Sequence, residues 1–213
     1  MPRILITSGP TRQHLDPVRY LTNASSGRMG AAMAQAALDL GHSVVIVSGP
    51  VELDYPEGVE VVPVISTQDM FDACVELFPD CDGAIGVAAP CDYRPLVVSP
   101  TKLAKTGAPL QLDLFETRDI IAHLGASKRN DQWVVGFALE THDERFRALV
   151  KLEEKACDLI ILNRPEAMDS ATNKVELLDP SGECVARVEG SKQDVASELF
   201  QEIQNRLIPR TGS

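Results

Sequence analysis

The sequence predicts an α/β fold, a mostly parallel sheet with helices on both faces and one small antiparallel hairpin. Three observations carry this. Short apolar runs of the buried-strand type alternate along the chain with stretches whose apolar residues recur at helical spacing. The runs are rich in Val, Ile and Leu without polar alternation, as strands covered on both faces read. Near the C-terminus two further runs flank Asp179-Pro180-Ser181-Gly182, which has the turn chemistry of a hairpin.

In chain order, residues 3–7 form the first strand, and Met29, Ala32, Met33, Ala36, Ala37 and Leu40 mark one face of the first helix. Between them lie about 17 residues, where a strand-to-helix loop usually takes about 2 to 6, and loops that long are usually functional or disordered. Gly9-Pro10 and Asp16-Pro17 stiffen this one, so it is expected to be an ordered loop that forms the active site. It closes with Ser25, Ser26, Gly27, Arg28, Met29 and Gly30. Gly27 and Gly30 have the spacing of the last two glycines of a phosphate-binding turn, with Ser25 where the first would stand. A serine N-cap and a glycine for close helix packing explain the same pattern equally well.

Residues 43–47 give a second buried strand, 59–65 a third, and 69–77 a helix with Met70, Phe71, Cys74 and Leu77 on one face. The fourth strand, 84–89, is rich in alanine and glycine, which lets a flat ligand lie against its backbone or a helix pack closely on it. A polar segment carrying Lys102 and Lys105 follows, then a helix over 117–124 with Thr117 as N-cap. Strands over 133–138 and 158–162 flank a helix over 143–156. There Arg147, Lys151 and Lys155, four apart, form one stripe; as a solvated face it would pair Arg147 with Asp143. Residues 173–178 and 184–188 form the hairpin, and Val195, Leu199, Ile203 and Leu207 mark a closing helix.

With 213 residues, 44% hydrophobic and 24% charged, the chain reads as one domain with a sizeable core. It has no run of about 18 apolar residues, and Met1-Pro2-Arg3 passes straight into a strand, so neither a membrane span nor a signal peptide is expected. The expected location is cytoplasmic. Five cysteines without a CxxC suggest small core residues rather than a disulfide framework or zinc site. A net charge of −11 counts against nucleic acid or a membrane surface as partner, so any phosphate must be met by a local cluster of cations.

No GxSxG, HExxH or Walker motif is present, and the four histidines have no obvious partner in sequence. What remains is an unusual loop, cations and backbone amides, the equipment of nucleotide-dependent group transfer. No acid stands at the end of the second strand, where a dinucleotide fold would take the ribose of NAD. That counts against an oxidoreductase.

The runs GPTR and LDPVRYLTNASSGRMG, followed by VAAPCDYRP, KLAK, RDII, VVGFALET and KACDLIILN, resemble the phosphopantothenate–cysteine ligase family, the synthetase half of the bacterial bifunctional coenzyme A enzyme. The likeness runs from residue 4 to about residue 178. The resemblance implies a modified Rossmann-like fold, an expected homodimer, that joins 4′-phosphopantothenate to L-cysteine with CTP and Mg2+ through an acyl-cytidylate. Carried over by motif, Asn23 holds the intermediate, Arg19 assists, and Lys102 opens the family's KxKK, with Lys105 closing it. Ser25, Ser26, Gly27 and Gly30 would cradle phosphate. Gly86, Val87, Ala88, Ala89 and Asp92 would receive the nucleotide, and Arg118, Asp119, Ile120, Ile121, Phe137, Lys151 and Lys155 would complete its pocket. No metal ligand is assigned.

The sequence departs from the family pattern in places. Ala104 stands at the third position of KxKK, Pro90 and Cys91 interrupt the usual AAVADYR, Arg118 replaces a proline, and Arg164 follows Asn163 where an Asp is common. These bear chiefly on nucleotide choice. The chain starts at the ligase motif, so a separate phosphopantothenoylcysteine decarboxylase is the expected partner unless this is an excised domain. A non-catalytic paralogue could dispense with Asn23 and Lys102; both are present.

Overall fold

β1 (Arg3–Ser8) lies inside the sheet, which explains its uninterrupted apolar run: Ile4, Leu5 and Ile6 are all fully buried. Ile4 and Ile6 join the core on one face and Leu5 the core on the other, the period-two alternation of a strand. The computed structural model describes residues 1–139, 142–163 and 173–209.

After β1 the chain forms β2 (Arg12–Asp16), β3 (Arg19–Thr22), α1 (Arg28–Asp39), β4 (Ser43–Ser48), β5 (Glu60–Pro63) and α2 (Thr67–Leu77). β6 (Gly83–Gly86), β7 (Tyr93–Pro95), β8 (Leu114–Glu116), α3 (Ile120–Ser127), β9 (Trp133–Leu139) and α4 (Glu144–Glu154) follow. β10 (Leu159–Asn163), β11 (Asn173–Leu178), β12 (Cys184–Gly190) and α5 (Lys192–Leu207) complete it. The main sheet has the order β12-β11-β10-β9-β6-β1-β4-β5. The six strands from β5 to β10 are parallel, and the β11–β12 hairpin adds antiparallel to β10. α1 and α5 supply one core, and α2, α3 and α4 the other, so helices cover both faces. Read through its parallel strands, this is the doubly wound order, with winding reversed between β1 and β6, where such folds open a crevice at the strands' carboxyl ends.

Four expectations are corrected. The long loop after β1 is largely a β2–β3 hairpin, set by Asp16, whose Oδ1 accepts from the N–H groups of Val18 at 2.8 Å and Arg19 at 2.9 Å. The polar segment after β6 contains a two-stranded ribbon, β7–β8. α3 is capped by Asp119, which accepts from Ala122 N–H at 2.9 Å, while the Thr117 hydroxyl leaves the helix and donates to Cys91 O at 2.7 Å. α2 starts earlier than its apolar face suggests because Ser66 and Asp69 form a capping box.

A buried polar knot ties the β2–β3 hairpin to the crevice. Thr11 Oγ1 accepts from Cys91 N–H at 2.8 Å and bonds Thr67 Oγ1 at 2.8 Å, while Thr67 also accepts from Gln13 Nε2 at 2.9 Å and donates to Cys91 O at 3.1 Å. Since a hydroxyl has one proton, Thr67 spends its own on Cys91 and Thr11 must donate to Thr67. Every member is satisfied, so the knot fixes the hairpin, the start of α2 and the segment after β6 to one another.

Candidate active site

Two cavities meet at the carboxyl ends of β1 and β6. The first, of about 340 Å³, is lined by Thr7, Gly86, Asp92, Glu116, the start of α3 and Lys155. The second, of about 390 Å³, is lined by Asn23, the segment from Ala24 through Gly30, Val87, Ala89, Lys151 and Lys192. Ala88, Pro90, Asp92 and Phe137 belong to both and form the shared wall.

Asn23 stands at the end of β3, delivered there by the hairpin. Its Nδ2 donates to Ala89 O at 3.2 Å and to Pro90 O at 2.9 Å, so the amide pins the shared wall instead of bonding its own chain in a turn. α1 begins just beyond, with Gly27 as N-cap at φ 74°, a left-handed backbone that suits glycine. Neither Ser25 nor any other side chain caps the helix. Gly30 is needed for packing: a Cβ there would lie 2.2 Å from Ser8 Oγ. Gly86 is likewise filled from behind, its would-be Cβ 2.4 Å from Ile121 Cδ1, which is the close-packing reading of that alanine- and glycine-rich strand.

The charges divide between the cavities. The second gathers Arg28, Lys151 and Lys192 with Asp92 as its acid. The first holds Arg118 and Lys155 against Asp92, Glu116 and Asp119. Lys155 Nζ lies 2.9 Å from Asp119 Oδ2, and the Arg118 guanidinium sits 5.0 Å from the Phe71 ring centroid. The cationic stripe of α4 is thus split: Lys151 faces one cavity and Lys155 the other, while Arg147 is exposed and lines neither.

Among the residues singled out from the sequence, Asn23, Ser25, Ser26, Gly27, Gly30, Val87, Ala89 and Lys151 come together in the second cavity, and Gly86, Arg118, Asp119, Ile120, Ile121 and Lys155 in the first. Ala88, Asp92 and Phe137 bridge them. Arg19, Lys102 and Lys105 line neither; Arg19 Nη2 donates instead to Leu103 O at 2.6 Å. Lys192 is not singled out by the sequence, and Asn173 enters the site only as the end of the polar segment 165–173, expected to cover it. Lys192 Nζ lies 3.4 Å from Asn173 Oδ1, and both reach the second cavity from elements beyond β10, a proximity with no sequence signal. Cys91, which breaks the usual motif, is buried in the knot; burial pushes its thiol up, so it is a packing residue rather than a nucleophile.

Val51 packs against two glycines of the β1-to-α1 connection. Its Cγ1 would lie 2.7 Å from a Cβ at Gly9 and 2.9 Å from one at Gly27, so it fills the space over both glycines. At the end of β4, Ser48 bonds Gly49 O and Tyr55 Oη, and no acid stands there for a dinucleotide ribose.

A doubly wound sheet with a polar, two-part crevice at its winding reversal defines an α/β protein of the kind that binds its ligand at the strands' carboxyl ends. Over residues 2–207 the chain matches the DNA/pantothenate metabolism flavoprotein C-terminal domain, and it belongs to that family. It is 42% identical over 210 residues to the coenzyme A biosynthesis bifunctional protein CoaBC of Vibrio vulnificus strain YJ016, an alignment covering 96% of this chain and 52% of that protein. The CoaBC of Bacillus subtilis strain 168 is 41% identical over 214 residues, covering 98% of this chain and 52% of that one. The chain thus spans about half the length of these relatives. The crystal structure of the C-terminal domain of CoaBC matches with a TM-score of 0.81 at 38% identity, covering 97% of this chain and 95% of that domain.

Proposed function

We propose that residues 1–213 act as one ligase domain that joins 4′-phosphopantothenate to L-cysteine with CTP in coenzyme A biosynthesis. The observation that carries this is the pair of cavities sharing one wall. A reaction that first links an acyl group to a nucleotide needs two sites that meet where the new bond forms, and here they meet at Ala88, Pro90, Asp92 and Phe137, with the Asn23 amide holding Pro90 O from the second cavity. Family membership and the CoaBC relatives support the same reading.

In the first step the pantothenate carboxylate attacks the α-phosphorus of CTP; the bond to the β-phosphate breaks and pyrophosphate leaves. In the second, the cysteine amine attacks the acyl carbon, a C–N bond forms, CMP leaves with the C–O electron pair, and the amine loses a proton. Neither step needs a side-chain nucleophile, so positioning and charge neutralisation carry the catalysis. The second cavity suits the phosphorylated acyl substrate, with α1's free N–H groups and Arg28, Lys151 and Lys192 facing its phosphate. The first suits the nucleotide. Its excess of carboxylates fits Mg2+, which binds through one or two carboxylates and substrate phosphates: Asp92 and Glu116 are the acids on that wall not engaged in a helix cap. The ion there would neutralise phosphate charge.

The expected setting is cytoplasmic, and among the described residues no helix is long and apolar enough to cross a membrane. The expected state is a homodimer, its interface formed by β8 and the segment joining β7 to it, where Leu96, Val97, Val98, Leu110, Leu114 and Phe115 are exposed. A phosphopantothenoylcysteine decarboxylase would consume the product. The test is pyrophosphate release: it should require CTP, 4′-phosphopantothenate and Mg2+ together, with ATP substituted in a parallel arm to read nucleotide choice. Folded protein that releases none with either nucleotide overturns the ligase reading.

A further inference from the structure

Asp16 is a fully buried carboxylate outside both cavities, and each of its oxygens has a separate task. Oδ1 caps the hairpin turn through the N–H groups of Val18 and Arg19. Oδ2 accepts from Leu103 N–H at 3.1 Å and lies 3.6 Å from Arg19 Nε. Arg19 in turn donates to Leu103 O at 2.6 Å, so both backbone polar groups of Leu103 are held by the hairpin, although residues 102–108 have no regular secondary structure. Ser99 N–H donates to Leu15 O at 2.9 Å and ties down the approach to the same segment.

The turn alone does not call for an aspartate. An asparagine oxygen would accept the Val18 and Arg19 N–H groups equally well, as Asx turns do. Only a carboxylate supplies the second acceptor and the charge that orients Arg19. An unpaired buried carboxylate would be costly, and here that cost is met only because Leu103 and Arg19 complete it. The second oxygen therefore serves the segment, and the residue next to Leu103 is Lys102.

Taking the ligase reading as its basis, we propose that Asp16 is a positioning residue: with Arg19 it clamps Leu103 and so fixes the anchored end of the exposed segment that carries Lys102, from which that lysine, outside both cavities here, reaches the bound nucleotide when the segment closes. Arg19 then acts on the same segment rather than on the intermediate alone.

The test is Asp16→Asn, which keeps the turn's acceptor and replaces the other oxygen by an NH2 facing the Leu103 donor. Expected is a fall in pyrophosphate release of about tenfold or more, the scale of a small displacement of a reacting group, with the CTP-induced thermal shift retained. Added to Lys102→Ala, Asp16→Asn should cost nothing further, because the group it positions is gone. A wild-type rate for Asp16→Asn overturns the proposal, as does a double variant that loses the same factor again. Should Asp16→Asn fail to fold, amide exchange on the wild-type protein decides: Leu103 must be protected relative to Lys102 and Lys105, and equal exchange overturns the clamp. Wild-type protein that releases no pyrophosphate would instead refute the ligase reading, while the exchange experiment would still report on the clamp.

Discussion

Asn23 donates both its amide hydrogens to carbonyls of the wall between the two cavities, so its role is readable in chemical terms. Asn23→Asp keeps the size but sets a carboxylate against two carbonyl oxygens and an anionic intermediate. We expect the variant to fold, with ligation lower by about 100-fold, the loss typical when one preorganised donor is removed. Near wild-type turnover in a steady-state assay would leave Asn23 as a tether only. Gly30 answers to packing. Gly30→Ala would place a Cβ 2.2 Å from Ser8 Oγ and 2.6 Å from Ser8 Cβ, and should lower stability by about 1–3 kcal/mol in a denaturant titration. Because Cβ as well as Oγ is in the way, Ser8→Gly should restore much of that loss and Ser8→Ala should not. The sequence left Asn23 and Gly30 each with two readings, since neither the carbonyls opposite Asn23 nor the Ser8 side chain behind Gly30 is local in the chain.

At the scale of elements, the β2–β3 hairpin organises the site. Its outer end holds Leu103, its buried edge enters the knot with Thr67 and Cys91, and its last residues deliver Asn23. Residues 102–108 are exposed except for the half-buried Leu103, and they carry Lys102 and Lys105. The sequence also marks 165–173 as a second covering segment; of these, 165–172 lie outside the described residues, while Asn173 opens β11 and lines the second cavity. For 102–108 we expect amide exchange to slow on adding CTP, chiefly at 104–108, because Leu103 is already anchored and the rest is free to close. Exchange unchanged by CTP across 104–108 would refute a lid there. The hairpin itself was hidden in the sequence because it shows no apolar alternation: Thr11, Gln13 and Asp16 are buried polar residues, and Thr11, Gln13 and one oxygen of Asp16 find their partners far along the chain.

For the whole molecule, an acidic chain of net charge −11 still gathers Arg28, Lys151 and Lys192 in one cavity, where elements from early and late in the chain converge. A run of exposed apolar side chains lies outside the second cavity, on β8 and the segment joining β7 to it. If that surface is the dimer interface, sedimentation should give a dimer at micromolar concentration, and Val97→Asp, at a position 75% exposed in the isolated chain, should shift it to monomer without lowering its melting temperature by more than a few degrees. A wild-type monomer throughout would remove the interface.

The sequence alone determined a mostly parallel sheet with helices on both faces and one antiparallel hairpin, because strands buried on both faces and helices with one apolar stripe leave their periodicity in the chain wherever solvent exclusion is decided locally, while the strand order came from the tertiary structure. It also determined the family, through the run ending in LTNASSGRMG. Tertiary structure alone decided which cations share a cavity, that Gly30 and Gly86 are emptied for Ser8 and Ile121, and that Asp16 and Arg19 grip Leu103. These depend on contacts between residues tens of positions apart, and hydrogen bonds and van der Waals exclusion at that separation leave no period or spacing to read.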